Sequence, residues 1–131
     1  MNTREASCSC GQLTAIAHGE PIRVSVCYCL ACQRRTGSSF GVQSRWARED
    51  VQITGESREY ARVSDEGEER TFHFCPTCGA TVFHGSPDEP DLITIPVGAF
   101  ADPMFPGPTR SVYEERQHQW VTVTGLLERY D

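Results

Sequence analysis

Residues 75–79 read CPTCG, a short turn with cysteines at its first and fourth positions, lying between two strand-like segments. The proline sets the turn, and the glycine lets the backbone fold back so that amide N–H groups point at the sulfur atoms. Two cysteines make half of a tetrahedral metal site, which needs two more ligands from elsewhere. The stretch therefore predicts a site that connects this turn to a distant part of the chain.

The segments around this turn have the pattern of short β-strands. Their β-branched and aromatic residues roughly alternate with polar ones, and turn residues bound them. The predicted strands are 12–18, 22–26, 40–46, 51–54, 71–74, 80–84, 92–97 and 120–125. LACQRRTG predicts one short helix over 30–36, with Gly37 as its left-handed C-terminal cap. We expect a mostly β fold in a single domain, 1–131.

Three further segments predict connections rather than strands. SDEGEE (64–69) is typical of an acidic hairpin loop, and GSPDEPD (85–91) of a second exposed connection. ADPMFPGP (101–108) contains three prolines, which favours a stiff extended segment over a surface cleft or a subunit contact. None has the character of a linker between domains.

Composition limits the classes of function that are open to the chain. MNTREASCSC has no apolar run and no long apolar stretch follows, so we expect no signal peptide, no membrane span and a cytoplasmic location. A reducing compartment keeps thiols free, so the seven cysteines favour metal binding over disulfides. The formal charge of −6 argues against nucleic acid as a partner.

The cysteines divide into groups of two, three and two. Cys8 and Cys10 could join the CPTCG pair in a filled, structural site. Cys27, Cys29 and Cys32 then remain, and three protein ligands with one open position is the arrangement of catalytic zinc. Spacing alone leaves the pairing open, because the middle group could also complete the first site. Iron is the chemical rival at a four-cysteine site, and we favour zinc.

Basic and hydroxyl residues follow the middle cysteines directly. Arg34 and Arg35 are candidates for binding an anionic part of a substrate, with Ser38 as a hydrogen-bonding neighbour. The plainer interpretation is a solvated pair of arginines and a serine that forms a turn. His18, His73 and His84 lie in strand patterns and are most simply hydrogen-bonded strand or core residues.

The chain resembles the glutathione-dependent formaldehyde-activating enzyme family, which includes the eukaryotic centromere protein V. The matching motifs are C-x-C-G, C-x-C-x-x-C with arginine, glycine and serine following, F-x-F-C-P-x-C-G, and VGAFADP at 97–103. The resemblance implies a zinc-containing β-tent of antiparallel sheets with two zinc ions per chain. It places the structural zinc on Cys8, Cys10, Cys75 and Cys78, and the second zinc on Cys27, Cys29 and Cys32.

The resemblance also implies a function. Family members join formaldehyde to glutathione, which is a carbon–sulfur lyase reaction run in reverse, so the implied partner is a small thiol such as glutathione. A homo-oligomer is compatible with this. Many members have a histidine in a P-x-x-H stretch, where this chain has Ser111 after Pro108. The alternative is a non-catalytic, zinc-stabilised module that binds another protein.

Overall fold

The computed structural model describes residues 2–131 and contains, within them, eleven strands and one α-helix. Three short 3-10 turns lie at Arg48–Asp50, Val97–Phe100 and Glu114–Arg116. In chain order the elements are β1 (Thr3–Ser7), β2 (Thr14–His18), β3 (Arg23–Cys27), α1 (Leu30–Thr36), β4 (Gly41–Ala47), β5 (Val51–Thr54), β6 (Arg58–Val63), β7 (Glu69–Phe74), β8 (Thr81–Gly85), β9 (Leu92–Pro96), β10 (Arg110–Val112) and β11 (Glu128–Arg129). The predicted mostly β fold is confirmed. None of the helices in residues 2–131 is long and apolar enough to cross a membrane.

The strands form two sheets. A three-stranded sheet has the order β1-β2-β5, and an eight-stranded sheet has the order β11-β10-β3-β4-β9-β8-β7-β6. Neighbouring strands run antiparallel, except that β10 pairs in parallel with both β3 and β11. The eight-stranded sheet is thus mixed, because the chain returns to β3 from a distant segment instead of through a hairpin, whereas the three-stranded sheet is purely antiparallel.

The main core lies between the two sheets. Small residues of β2, Ala15 and Ala17, are fully buried there together with Trp46 of β4 and Ile95 of β9. Their strand neighbours alternate to the opposite face, as a period of two requires. One face of the large sheet therefore packs against the core, and its other face does not contribute to this core.

Local signals at both ends define the helix. The Cys29 sulfur accepts a hydrogen bond from the Cys32 N–H at the N-terminus. At the other end Gly37 has φ 67°, and its N–H donates to the Gln33 carbonyl. The predicted helix over 30–36 and its glycine cap are confirmed.

The predicted strand 120–125 is wrong. Val121 is buried against Val26 and Tyr28, but the segment has no ladder partner in residues 2–131. The Val-Thr alternation therefore reflects one buried side rather than pairing in a sheet. The other seven predicted strands are present with small changes at their ends, and β1, β6, β10 and β11 were not predicted.

The predicted connections are largely confirmed. Residues 64–68 form the tip of the β6–β7 hairpin, and 86–91 connect β8 to β9. Residues 101–108 contain no strand, but they cover the core rather than a cleft, because Phe105 is buried and its ring stacks 4.7 Å from that of Phe100.

Candidate metal centres and an arginine-lined cavity

Four cysteines from two distant parts of the chain meet at one edge of the core. Cys8 and Cys10 lie in the turn after β1, and Cys75 and Cys78 lie in the turn after β7. All four sulfur atoms are within 4.8 Å of one another. We call them the four-cysteine cluster, and they are the four residues that the sequence predicts for a structural site.

The geometry of this cluster fits a tetrahedral metal ion. The Cys10 sulfur lies 3.6 Å from the sulfurs of Cys8 and Cys75, close to the separation of roughly 3.8 Å that four sulfurs at about 2.3 Å from a central ion would have. N–H groups of Thr77 and Cys78 donate to the Cys75 sulfur at 3.3 and 3.4 Å. Such donors stabilise thiolates, as a metal site requires.

The pKa values of these thiols also indicate that the four-cysteine cluster is suited to a metal ion. Desolvation raises the pKa of Cys75, but hydrogen bonds from the Cys78 N–H, the Gln12 side chain and the Thr77 N–H bring it down to about 6. The Gln12 N–H lowers the pKa of Cys10, yet burial and the neighbouring thiols together raise it to about 11. The cluster therefore favours some thiolates but resists four negative charges, which a cation would relieve.

Cys27, Cys29 and Cys32 form the three-cysteine cluster. They lie at the end of β3 and the start of α1, all three are buried, and their sulfurs are within 4.8 Å of one another. The Cys29 sulfur accepts hydrogen bonds from both neighbouring thiols and the Cys32 N–H, and these lower its pKa to about 2. The same contacts raise the pKa of Cys27. Ionisation of one thiol, that of Cys29, is thus strongly favoured. A bound metal ion would favour deprotonation of the other two thiols as well.

The three-cysteine cluster opens into a cavity of about 470 Å³. Its floor is the free face of the large sheet, since Arg23, Ser25 and Cys27 alternate along β3 on that face. The strand register puts Arg45 opposite Arg23, and Gln43 opposite Ser25. The intervening residues of β3 are buried on the opposite face, Val24 in the main core and Val26 against Tyr28 and Val121. One strand thus carries a buried apolar face and a polar face that ends at the cysteines.

This cavity concentrates the positive charge of an acidic protein. Seven of the twelve basic residues of the chain line it, and all are arginines: Arg23, Arg34, Arg45, Arg62, Arg70, Arg110 and Arg116. The acidic residues among its walls are Asp65 and Glu66, at the tip of the β6–β7 hairpin. Because seven arginines outnumber two carboxylates, the lining has a net positive charge, and such a cleft attracts ligands of the opposite sign. The cavity is therefore suited to an anion.

The hairpin tip contacts the C-terminal segment across the cavity. The Tyr113 hydroxyl donates to Glu66 at 3.2 Å, and Arg116 donates to Asp65 at 3.3 Å. Desolvation, together with Glu66, raises the pKa of Tyr113 to about 12. The large sheet therefore curls over, so that its β6–β7 end approaches the cysteines.

The structure separates the predicted substrate-binding residues. Arg34 lines the cavity. Arg35 is not among its lining residues, and its guanidinium instead lies over the Phe72 ring, 5.5 Å from the centroid. Ser38 is exposed after the helix, outside the cavity. Ser111 is fully buried beside the cavity wall, where its hydroxyl donates to Glu114. Arg34 can therefore contact a ligand in this cavity directly, whereas Ser38 lies outside it.

Sequence reasoning missed most of the cavity. Arg23, Arg45, Arg62, Arg70 and Arg110 come from five different strands, and no short motif connects them. One local signal was present: in RVSVC (23–27) arginine, serine and cysteine alternate with valine. That alternation puts Arg23 on the same face as Cys27.

Comparisons with known proteins identify a family and a similar fold. The family model described as glutathione-dependent formaldehyde-activating enzyme matches residues 3–121. No curated protein matches the chain. A crystal structure of a Rhodobacter sphaeroides protein has a similar fold, with a TM-score of 0.54 and 19% identity over 72% of this chain and 85% of that one. At this identity the likeness concerns the fold alone.

Proposed function

This chain belongs to the glutathione-dependent formaldehyde-activating enzyme family, and we propose that it joins a small thiol reversibly to an aldehyde, acting as a carbon–sulfur lyase on the adduct. One observation supports this most directly: three buried cysteines form the end of a cavity lined by seven arginines. The thiol would be anionic, such as glutathione, whose carboxylates suit guanidinium groups. Residues 1–131 would act as one domain.

Zinc is the proposed metal of both clusters. The four-cysteine cluster would hold a structural ion with no position left open. The three-cysteine cluster would hold a second ion beside the cavity. Zinc bound by three cysteines supplies a Lewis acid with a free position that keeps a thiol ligand deprotonated near neutral pH.

The residues around this position have separate tasks. In the reaction a carbon–sulfur bond forms, the thiol loses its proton, and the carbonyl oxygen of the aldehyde gains one. His84 lines the cavity, and its Nε2 is buried without a protein partner among residues 2–131. Burial and the nearby Arg35 hold the pKa of His84 well below its ordinary value, so the ring is neutral. With a proton on Nε2, this ring would donate a hydrogen bond to the aldehyde oxygen.

Arg34 and Arg62 lie near the cysteines and would hold the substrate. After the hydrogen bonds from Cys27 and Cys32, the positive charge of Arg62 is a smaller contribution to the lowered pKa of Cys29. The Arg62 guanidinium lies 5.3 Å from the centroid of the Phe72 ring. Arg34 is exposed at the entrance, where it is free to bind a carboxylate. These contacts would position an anionic thiol with its sulfur at the three-cysteine cluster.

Exchange spectroscopy by NMR would test the proposal. Zinc-loaded protein is added to an equilibrium mixture of glutathione, formaldehyde and their adduct, and the rate of interconversion is measured. We expect acceleration in proportion to protein, and a more than tenfold loss of it in Cys29→Ser, about 1.4 kcal/mol or more in the barrier. Arg58→Gln, an exposed change outside the cavity, should leave the acceleration unchanged.

Two results of the exchange experiment would contradict the proposal. If protein with two zinc ions accelerates the exchange for no thiol or aldehyde, the chain is the non-catalytic binding module instead. If Cys29→Ser retains full acceleration, the three-cysteine cluster is not the reactive site.

A further inference from the structure

Three arginines form a compact group at the far end of the cavity from the cysteines. Arg23 and Arg45 are directly opposite each other on β3 and β4. Arg110 of β10 pairs in parallel with Ser25, two residues along β3 and on the same face. All three line the cavity. We call them the far arginine group.

This group has fewer partners than its charge requires. Among residues 2–131, the Nε atoms of Arg23 and Arg110 are buried and have no hydrogen-bond partner. Arg45 donates to Glu89 at 2.7 Å, and Arg110 lies over the Tyr130 ring, 5.0 Å from its centroid. Buried donors without acceptors are costly, so the arrangement is suited to a ligand that brings acceptors with it.

The three charges also repel one another. Burial lowers the pKa of Arg23, and so do Arg110 and Arg45, with Glu128 and Glu89 opposing the effect in part. A guanidinium does not lose its proton in proteins, so the repulsion persists in the folded state. An anion bound between the three would relieve it.

The distance to the cysteines limits the ligand. Cys27 lies four residues beyond Arg23 on β3, which places their Cα atoms about 13 Å apart at 3.3 Å per residue. Arginine side chains shorten this gap, and Arg110, which pairs with Ser25, lies only two residues from Cys27 along the strand direction. A tripeptide, roughly 10 Å when extended, spans more of the distance than a free amino acid of less than about 4 Å.

We propose that Arg23, Arg45 and Arg110 form a second anion-binding subsite, which holds the remote carboxylate of a peptide-length thiol while its sulfur lies at the three-cysteine cluster. The inference rests on the proposed function for the identity of the thiol end. It makes the cavity selective for the distance between sulfur and acid group, so that short thiols bind without using the far arginine group.

Calorimetric titration with S-methylglutathione would test the subsite, because this probe has both carboxylates of glutathione and no free thiol. We expect Arg23→Gln and Arg110→Gln each to weaken its binding by about ten- to a hundredfold, the loss of a charge-assisted hydrogen bond. Arg58→Gln should bind as the parent protein does. Binding of 2-mercaptoethanol, which has no acid group, should be unchanged in Arg23→Gln.

A stability measurement separates ligand binding from a structural role. Without ligand, Arg23→Gln should be at least as stable as the parent protein, since it removes repulsion. S-methylglutathione should raise the melting temperature of the parent protein more than that of Arg23→Gln. If both arginine variants bind the probe with parental affinity, or if Arg23→Gln weakens 2-mercaptoethanol equally, the subsite is overturned.

Failure of the subsite and failure of the proposed function give different results. Arginine-dependent binding of S-methylglutathione without any thiol–aldehyde exchange supports the subsite and contradicts the function. Exchange that both arginine variants catalyse with an unchanged KM for glutathione supports the function and overturns the subsite.

Discussion

At Ser44 a single hydroxyl satisfies two buried polar groups. It donates to the Ile95 carbonyl at 2.7 Å and accepts from the Trp46 indole N–H at 2.8 Å. Ser44, Trp46 and Ile95 are fully buried in the strands β4 and β9. The indole can therefore lie in the core because a residue two positions away on the same strand supplies its acceptor.

Replacing Ser44 with alanine should lower the free energy of unfolding by about 1–3 kcal/mol. The change leaves the indole N–H without its acceptor and removes one donor from the Ile95 carbonyl, and both residues are fully buried away from water. Chemical denaturation of the two proteins measures the difference. Ser38→Ala is the matched control, since Ser38 is exposed, and it should change stability by less than about 0.5 kcal/mol. Equal effects of the two changes would contradict the argument.

At the level of elements, the sequence predicts those whose ends are defined locally. The helix at 30–36 was predicted correctly because its cap, Gly37, is a neighbour in sequence. β10 was missed because it has three residues and pairs with β3, more than 80 residues earlier. β6 was missed because all its residues except Arg62 are exposed, so it lacks a strand's apolar alternation.

The candidate site also has one part that local sequence predicts and one part that depends on distant strand pairing. The grouping of seven cysteines into four and three follows from spacing and ligand number, which are properties of short segments. The arginine-lined cavity depends on the registers of β3, β4 and β10, which place single residues from separate strands on one face. The sequence around Arg45 or Arg110 does not indicate which residues of other strands lie beside it, so the cavity could be identified only from the tertiary structure.

The turn after β5 and the turn after β1 fit together at Gly55. Gly55 has φ 104°, and a Cβ there would lie 1.9 Å from the Gln12 carbonyl oxygen. The Gln12 side chain in turn donates to the Glu56 carbonyl and to the Cys75 sulfur, at 2.7 and 3.0 Å. The close approach of these two turns thus positions a donor to the four-cysteine cluster.

We expect Gly55→Ala to destabilise the protein by more than about 2 kcal/mol, since it combines an unfavourable positive φ with a backbone clash. It should also weaken metal retention at the four-cysteine cluster, measured as zinc released to a chelator. Gly67→Ala is the control, because Gly67 has φ 85° but nothing within 4 Å of its Cβ position. That change should cost only about 1 kcal/mol and leave metal release unaffected. Similar losses in both variants would show that the clash with Gln12 is not the cause.

At the scale of the whole molecule, the two clusters connect different amounts of chain. The four-cysteine cluster brings together Cys10 and Cys75, 65 residues apart, and joins the end of β1 in the small sheet to the end of β7 in the large sheet. The three-cysteine cluster joins residues within one turn of chain, 27–32. Constraints that close long loops restrict the unfolded chain more than those that close short ones. The two proposed zinc ions should therefore differ in what they do for stability.

Cys75→Ala should unfold the protein or lower its melting temperature severely, whereas Cys29→Ala should retain most of the fold. Metal binding to a structural site is folding free energy, on the order of 10 kcal/mol for zinc, and the total stability of a domain this size is about 5–15 kcal/mol. Thermal unfolding followed by circular dichroism, with metal content measured on the same samples, compares the two. We expect the Cys29→Ala protein to keep about one zinc ion per chain and its β-sheet spectrum, because its four-cysteine cluster is intact. Equal losses of stability would mean that both clusters are structural, and the open position proposed at Cys27, Cys29 and Cys32 would then have no support.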